Sequence, residues 1–244
     1  MHQLNAQGAG GGSNEFSPET PQGDVLSMVT HELRSPIAAL RLQVASLRRN
    51  PKSATDPRKL ERIARQVERL SILVQNLLDA TVPSTGRMTL LLDEDIELGE
   101  VVSDALEKLQ PEIALRCAVI QVHQLAPIHG TWDRLRLEQI ATNLLSNAIK
   151  YGHGKPIDVW LERSRERAVL AVRDRGIGIE PAQMKRLFDR FERVVTDSRN
   201  PGVGLGLWIV RSAAEAMGGT VMVDSQLGAG STFTVDLPLR PNQS

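Results

Sequence analysis

His31 lies in Thr30-His31-Glu32-Leu33-Arg34-Ser35-Pro36. A neutral imidazole can attack an electrophile near neutral pH without first losing a proton, and a neighbouring carboxylate can fix its tautomer or take the residual proton. Downstream, Asn143 and Asn147 stand four residues apart, with Lys150 and Tyr151 one helical turn further on. Two carboxamide oxygens on one helix face can approach a hydrated Mg2+, which prefers few protein ligands together with phosphate oxygens. Lys150 can neutralise phosphate charge. Asp174-Arg175-Gly176-Ile177-Gly178-Ile179 places a carboxylate where it can accept a hydrogen bond from an exocyclic amine such as that of adenine. Gly176 and Gly178 are expected to let the backbone approach a planar base. A presented nucleophile and the parts of a nucleotide cradle in one chain point to self-phosphorylation.

These groups need elements to hold them. Leu26, Leu33, Leu40 and Leu47 recur every seven residues, with Thr30, Ile37 and Val44 between them, the a/d pattern of a helix packed in a bundle. On that register His31 falls one step off the seam, carried by a rigid element yet open to a partner. The helix is predicted from Pro21 to Arg49, stopped by Asn50-Pro51. Asp56-Pro57 restarts one, because Asp can cap free N–H groups and proline suits the first helical position. Its face carries Leu60, Ile63, Val67, Leu70, Val74 and Leu77. Two helices cannot enclose such wide faces, and a homodimer pairing two hairpins into a four-helix bundle through Leu33, Leu40, Val67 and Leu70 is the expected solution, against the plainer reading of a hairpin packed on the downstream domain of its own chain. Pro36 weakens the helix one turn past His31 and suggests a bending point, against the plainer reading of a static kink.

After a turn-rich hinge at Thr81–Gly86 the pattern becomes mixed. Helices are predicted at Leu98–Leu115, Trp132–Tyr151 and Gly204–Met217, and strands at Ala118–Val122, around Ile157–Leu161 and Val169–Arg173, and at Thr220–Ser225 and Ser231–Leu237. This is an α+β chain, an antiparallel helical hairpin followed by an α/β sandwich. The expected division is a flexible linker or appended segment over 1–20, the hairpin over 21–84 and an ATP-binding catalytic domain over 85–240. Gly202-Val203-Gly204-Leu205-Gly206-Leu207 opens a helix whose N–H groups can face phosphates; it does not follow a strand, so a dinucleotide fingerprint is rejected. Phe188 and Phe191 flank Arg190, and the polar stretch from Arg193 to Pro201 suits a lid.

The bulk numbers agree with this reading. Lys and Arg total 29 against 29 Asp and Glu, so no basic surface advertises nucleic acid. The single cysteine, Cys117, excludes an internal disulfide and fits a reducing cytosol. No apolar run approaches the roughly 20 residues needed to span a bilayer. The expected location is cytoplasmic, including as the cytoplasmic part of a larger membrane sensor. His2, His123, His129 and His153 show no metal-ligand spacing.

Taken in order, the motifs resemble those of the sensor histidine kinases of two-component signalling. Thr30–Pro36 resembles the phosphoacceptor box, Asn143–Tyr151 the N box and Asp174–Gly178 the first glycine box. Phe188-Asp189-Arg190-Phe191 resembles the F box, and Gly202–Leu207 the second glycine box. The resemblance implies that His31 accepts phosphate with Glu32 as base or orienter, that Asn143 binds Mg2+, and that Asn147, Lys150 and Tyr151 lie near the metal and nucleotide. It further implies that Asp174 reads adenine beside Gly176 and Gly178, while Phe188, Phe191, Gly202, Gly204, Leu205 and Gly206 shape the phosphate side. ATP and Mg2+ are the implied cofactors, and a response regulator receiver domain the implied partner. Ser35 stands where the family often has Thr or Asn for dephosphorylating the regulator.

Two other functions use similar parts. An ATPase resembling those of DNA gyrase, chaperones and mismatch repair would need a Glu one turn before Asn143; this chain has Gln139 there, with Glu138 adjacent. A dimeric scaffold that binds nucleotide without transfer is the non-enzyme alternative.

Overall fold

The computed structural model describes residues 21–49, 56–81, 90–192 and 204–240. The expected linker at 1–20, most of the hinge, the expected lid and Gly202 lie outside them, and within α1 the side chains of His31 and Glu32 do too.

The first two elements are helices, α1 (Pro21–Arg49) and α2 (Pro57–Thr81), packed on each other. Asp56 caps α2 as expected: its carboxylate accepts from the Arg58 N–H at 3.0 Å and its carbonyl from the Lys59 N–H at 3.0 Å. Pro36 sits inside the continuous span of α1 and is buried. The apolar positions divide into two stripes. Leu33, Leu40 and Leu47 on α1 and Ile63, Leu70 and Leu77 on α2 are partly buried. Ile37 and Val44, seven residues apart, are 45% exposed, and Leu60, Val67 and Val74, at the same spacing, are 50%, 50% and 46% exposed. The first stripe is partly covered within the chain and the second is about half exposed. The expected pairing residues fall on both stripes: Leu33, Leu40 and Leu70 are partly buried and Val67 is half exposed.

The remainder folds as β1 (Asp93–Glu97), α3 (Leu98–Lys108), α4 (Gln110–Arg116), β2 (Ile120–Gln124), β3 (His129–Trp132), α5 (Arg134–Tyr151), β4 (Ile157–Ser164), β5 (Arg167–Arg173), α6 (Pro181–Met184), α7 (Gly206–Ala216), β6 (Thr220–Gln226) and β7 (Gly230–Pro238). A five-stranded sheet has the order β2-β4-β5-β7-β6, with β2 parallel to β4 and the other pairs antiparallel. One face is apolar at every second residue: Ile157, Val159 and Leu161, then Ala168, Leu170 and Val172, then Phe233, Val235 and Leu237 are all buried. They form one core with Val101 and Val102 of α3, Ile140, Leu144 and Ile149 of α5 and Val210 and Ala213 of α7. This is the expected α/β sandwich, with α5 in contact with both α3 and α7.

Three departures have local causes. The helix expected over Leu98–Leu115 is two, broken at Leu109, because Pro111 has no N–H to continue the ladder and instead opens α4. Cys117 ends α4 in the left-handed conformation with φ 50°, and the Ala118 N–H bonds back to the Ile113 carbonyl at 3.0 Å. That helix closure uses Ala118, so β2 starts at Ile120. The antiparallel pair β1–β3 was not foreseen; a register irregularity between Asp93 and Ile96 hides its alternation.

Candidate nucleotide-binding and phosphoacceptor sites

Asp133 starts α5 by accepting from the Arg136 N–H at 3.1 Å, while its other oxygen accepts from the Leu91 N–H at 2.9 Å. The buried stripe of α5 then fixes which side Asn143 presents. Its Nδ2 donates to the Gln139 carbonyl at 2.8 Å, which leaves Oδ1 as the free end of the amide plane. That oxygen lies against the start of α7, so near that a Cβ at Gly206 would stand 2.8 Å from it. The first turn of α7 follows Leu205, which is buried and supplies no side-chain cap. Uncapped N–H groups beside a carboxamide oxygen suit phosphate and a hydrated cation. Asn147 and Lys150 follow on α5 and are partly buried. Arg116 donates to the Lys150 carbonyl at 3.2 Å, and the Tyr151 carbonyl accepts from the Ile177 N–H at 3.3 Å, so the end of α5 is joined to the first glycine motif.

Asp174 follows β5 and is 5% exposed. Its Oδ1 accepts from the Gly176 N–H at 2.8 Å, and its own N–H donates to the Ser231 carbonyl at 2.9 Å. Burial pushes its carboxyl above the ordinary range, against the lowering effect of the backbone N–H groups of Gly176 and Ser231. A buried acceptor of this kind favours a donor from a ligand. The glycines of this loop also answer a need within the protein itself. A Cβ at Gly176 would run into the Tyr151 carbonyl, and one at Gly178, where φ is 67°, into the Gln226 carbonyl. Their bareness lets the loop fit between α5 and the β6–β7 turn in close packing on protein backbone.

On the opposite side the loop is held by charge. Arg175 reaches Asp158 Oδ2 at 2.6 Å and donates to the Pro156 carbonyl at 2.7 Å, while His123 Nε2 lies 3.2 Å from Asp158 Oδ1 and stacks on Trp160. Burial raises the Asp158 carboxyl, but the hydrogen bonds from His123 and Arg175 and their charges outweigh it and hold the group below its ordinary value. Arg175, Asp158, Ser225 and Ser231 were not singled out in the sequence. The signal available was the serine pair, Ser225 and Ser231, that bounds the Leu227-Gly228-Ala229-Gly230 segment between the last two expected strands.

Phe188 packs against the main core, whereas Phe191, with φ 63°, packs with Leu205, Ile209 and Trp208 in a small separate cluster. Arg190 lies over the Trp208 ring at 4.5 Å. A Cβ at Gly204 would come within 2.7 Å of the Glu192 carbonyl oxygen, so the two ends of the segment between Glu192 and Gly204 meet. Leu77 of α2 joins the same cluster. Two groups of these residues are thus brought together along α5: Asn143 with Gly206 and the start of α7, and Tyr151 with Asp174 and Gly176 at the end of the helix. His31, Glu32 and Ser35 lie on α1, a separate element, with Ser35 exposed.

Glu138, the carboxylate nearest to the position a water-activating base would need, is held away from Asn143. It pairs with Lys108 of α3 and lies 3.5 Å from Arg134. Among the described residues no group of three or more His, Cys, Asp or Glu could hold a metal ion, and no helix is long and apolar enough to cross a membrane.

Comparison with known proteins gives a consistent result. Residues 22–81 match the His Kinase A (phospho-acceptor) domain and residues 132–241 the histidine kinase-, DNA gyrase B-, and HSP90-like ATPase family. The chain is 32% identical over 225 residues to the histidine protein kinase SaeS of Staphylococcus epidermidis, covering 88% of this chain and 62% of that protein. It is 34% identical over 217 residues to the sensor protein KdpD of Escherichia coli, covering 88% and 24%. The chain therefore spans between about a quarter and three-fifths of the length of these curated relatives. The solved structure of Acinetobacter baumannii histidine kinase AdeS superposes with a TM-score of 0.61 at 25% identity, covering 86% of this chain and 98% of that one. The phosphoacceptor hairpin, the nucleotide-binding sandwich and their order in one chain make this protein a member of the sensor histidine kinases of two-component systems.

Proposed function

We propose that the chain transfers the γ-phosphoryl group of MgATP to an imidazole nitrogen of His31, and from there to an aspartate of a separate response regulator. The observation that carries this is the Asn143 carboxamide oxygen beside the uncapped start of α7, with the buried Asp174 carboxylate on the loop joined to the end of the same helix α5. In the first step the bond from the γ-phosphorus to the bridging oxygen breaks, ADP leaves, and a P–N bond forms at His31. Glu32 fixes the imidazole tautomer or takes the remaining proton. Asp174 accepts from the adenine amine and sets the register of the nucleotide. Asn143 Oδ1 and the first N–H groups of α7 face the phosphates, and Lys150 neutralises their charge. The donor set at Asn143 fits Mg2+, since one neutral oxygen leaves the other positions to water and phosphate. When bound there, Mg2+ would offset the phosphate charge. Ser35, exposed on α1 near the acceptor, supports a role in dephosphorylating the regulator.

The gyrase-like ATPase reading loses its base, because Gln139 cannot take a proton and Glu138 is engaged by Lys108 and Arg134. The open stripe of Ile37, Val44, Leu60, Val67 and Val74 supports a homodimer in which two hairpins form a four-helix bundle. The domain limits 21–84 and 85–240 fit this division of labour, and a cytoplasmic site of action fits the reaction. Incubation with γ-labelled ATP tests the reading. Acid-labile, alkali-stable label on the protein is expected; rapid release of free phosphate without labelled protein would replace it with the ATPase reading.

A further inference from the structure

The Asp174 loop must hold one carboxylate still against a nucleotide base, although its backbone is glycine-rich and follows the end of a strand. Its near end is secured by the Asp174 N–H on the Ser231 carbonyl at 2.9 Å. Its far end is secured by the Ile179 N–H, which donates to Ser225 Oγ at 2.8 Å. Ser225 Oγ also lies 3.0 Å from the Gly230 carbonyl and 2.8 Å from Ser231 Oγ. A hydroxyl has one donor and two acceptor sites. Donation to Gly230 and acceptance from Ile179 and Ser231 use all three. The side chain is thus fully engaged by protein and has no capacity left for a ligand. It joins the two segments that bracket Asp174: the loop ending at Ile179 and the β6–β7 turn whose Ser231 carbonyl holds the Asp174 backbone. The Gly228 N–H adds a third tie, to the Ile177 carbonyl at 2.6 Å.

We propose that Ser225 is a positioning residue for base recognition, acting on adenine through Asp174 without touching it; this rests on the reading of Asp174 given above. Removing the hydroxyl leaves the Ile179 N–H without its partner in a partly buried site and frees the far end of the loop. The consequence is specific to the adenine amine, because only that contact depends on the position of the Asp174 carboxylate. Phosphate contacts at Asn143 and α7 lie on other elements.

The test compares full-length Ser225→Ala, Ser225→Thr and Asp174→Asn with the parent chain, using ATP and purine riboside triphosphate, which lacks the exocyclic amine. For Ser225→Ala the KM and Kd for ATP are expected to rise about tenfold, with kcat within about twofold and affinity for the analogue within about twofold. Ser225→Thr, which keeps the hydroxyl on a residue suited to a strand, should restore the preference for ATP. If the Ala variant does not fold, Ser225→Cys, similar in size but a weak hydrogen-bonding group, takes its place with the same expectation. Equal losses for both nucleotides, or none for either, overturn the proposal. If Asp174→Asn abolishes the preference while Ser225→Ala leaves it intact, only the positioning role fails. If Asp174→Asn itself leaves the preference unchanged, the reading of Asp174 fails and the proposal with it.

Discussion

The hairpin and the sandwich solve the same problem of burying apolar surface in opposite ways. In the sandwich, one sheet face and three helices close a core in which Val101, Ile140, Val159, Val210 and Val235 are 0% exposed. In the hairpin, five apolar residues at heptad spacing remain about half exposed. The difference follows from geometry. A sheet covered by helices can enclose its interior within one chain, whereas two helices can cover only one stripe of each other. On the function proposed above, the sandwich, with its closed core, holds the nucleotide, and the hairpin, with its half-exposed stripe, presents the acceptor and pairs with another copy. Leu77 is a point where the two meet, packed with Leu205 and Ile209 at the start of α7.

The sharpest challenge to this separation is at the acceptor. His31→Gln should abolish labelling from γ-labelled ATP while leaving MgATP affinity within about twofold, because acceptor and cradle lie in separate units. Labelling that persists would place the acceptor elsewhere; nucleotide binding that collapses would show that the units are not separate. Calorimetry beside the labelling assay reads both.

The next test separates the two stripes of the hairpin. Ile37→Glu with Val67→Glu puts charges on the open stripe and should yield folded monomers, since burying an unpaired charge is costly. Leu40→Glu with Leu70→Glu strikes the covered stripe and should unfold the hairpin itself. Each buried Leu or Val contributes roughly 1.5–3 kcal/mol, so light scattering and the helical signal in circular dichroism should distinguish the pairs. Monomeric parent protein at micromolar concentration would remove the dimer from the comparison. Folded monomers from the Leu40/Leu70 pair would show that the stripes had been assigned the wrong way round.

Within the sandwich, Asp174→Asn replaces an acceptor oxygen with a donor, which on the proposed function would face the adenine amine. Affinity for ATP should fall at least about tenfold, with the fold retained, as calorimetry and circular dichroism would show. An unchanged affinity would move base reading to another residue.

The smallest expected effect is one of pH. Asp158 is held below its ordinary pKa by His123 and Arg175, despite the opposing effect of burial. Its stabilising contribution is therefore complete above the unfolded carboxylate range and is lost as pH falls toward the depressed folded value. Asp158→Asn should weaken the parent at neutral pH and flatten this part of the acid dependence in thermal unfolding. An equally steep dependence in the variant would assign it to other carboxylates.

Local sequence carried much of this molecule. The extent of α1, the cap at Asp56, the end of α5 at Tyr151 and the β4–β5 hairpin follow from heptads, proline, capping chemistry and strand alternation, each of which acts over a few residues. The order of the motifs likewise pointed to the family. Other features depended on residues distant in the chain. Leu40 and Val67 look equally apolar in the sequence, and only helix packing decides that one is covered and the other open. Gly176 and Gly178 read as room for a base, and their close packing on the Tyr151 and Gln226 carbonyls arises only when the fold brings these beside them. Glu138 and Asn143 are near neighbours on one helix, yet Lys108 draws the carboxylate away from the site. The partners of Ser225 lie on both sides of the Asp174 loop, joined only when β6 and β7 pair. Composition and spacing could specify which groups were present and which elements bore them. Which groups are engaged and which remain open was decided by tertiary packing, because every buried polar group must find its partner wherever the fold places one.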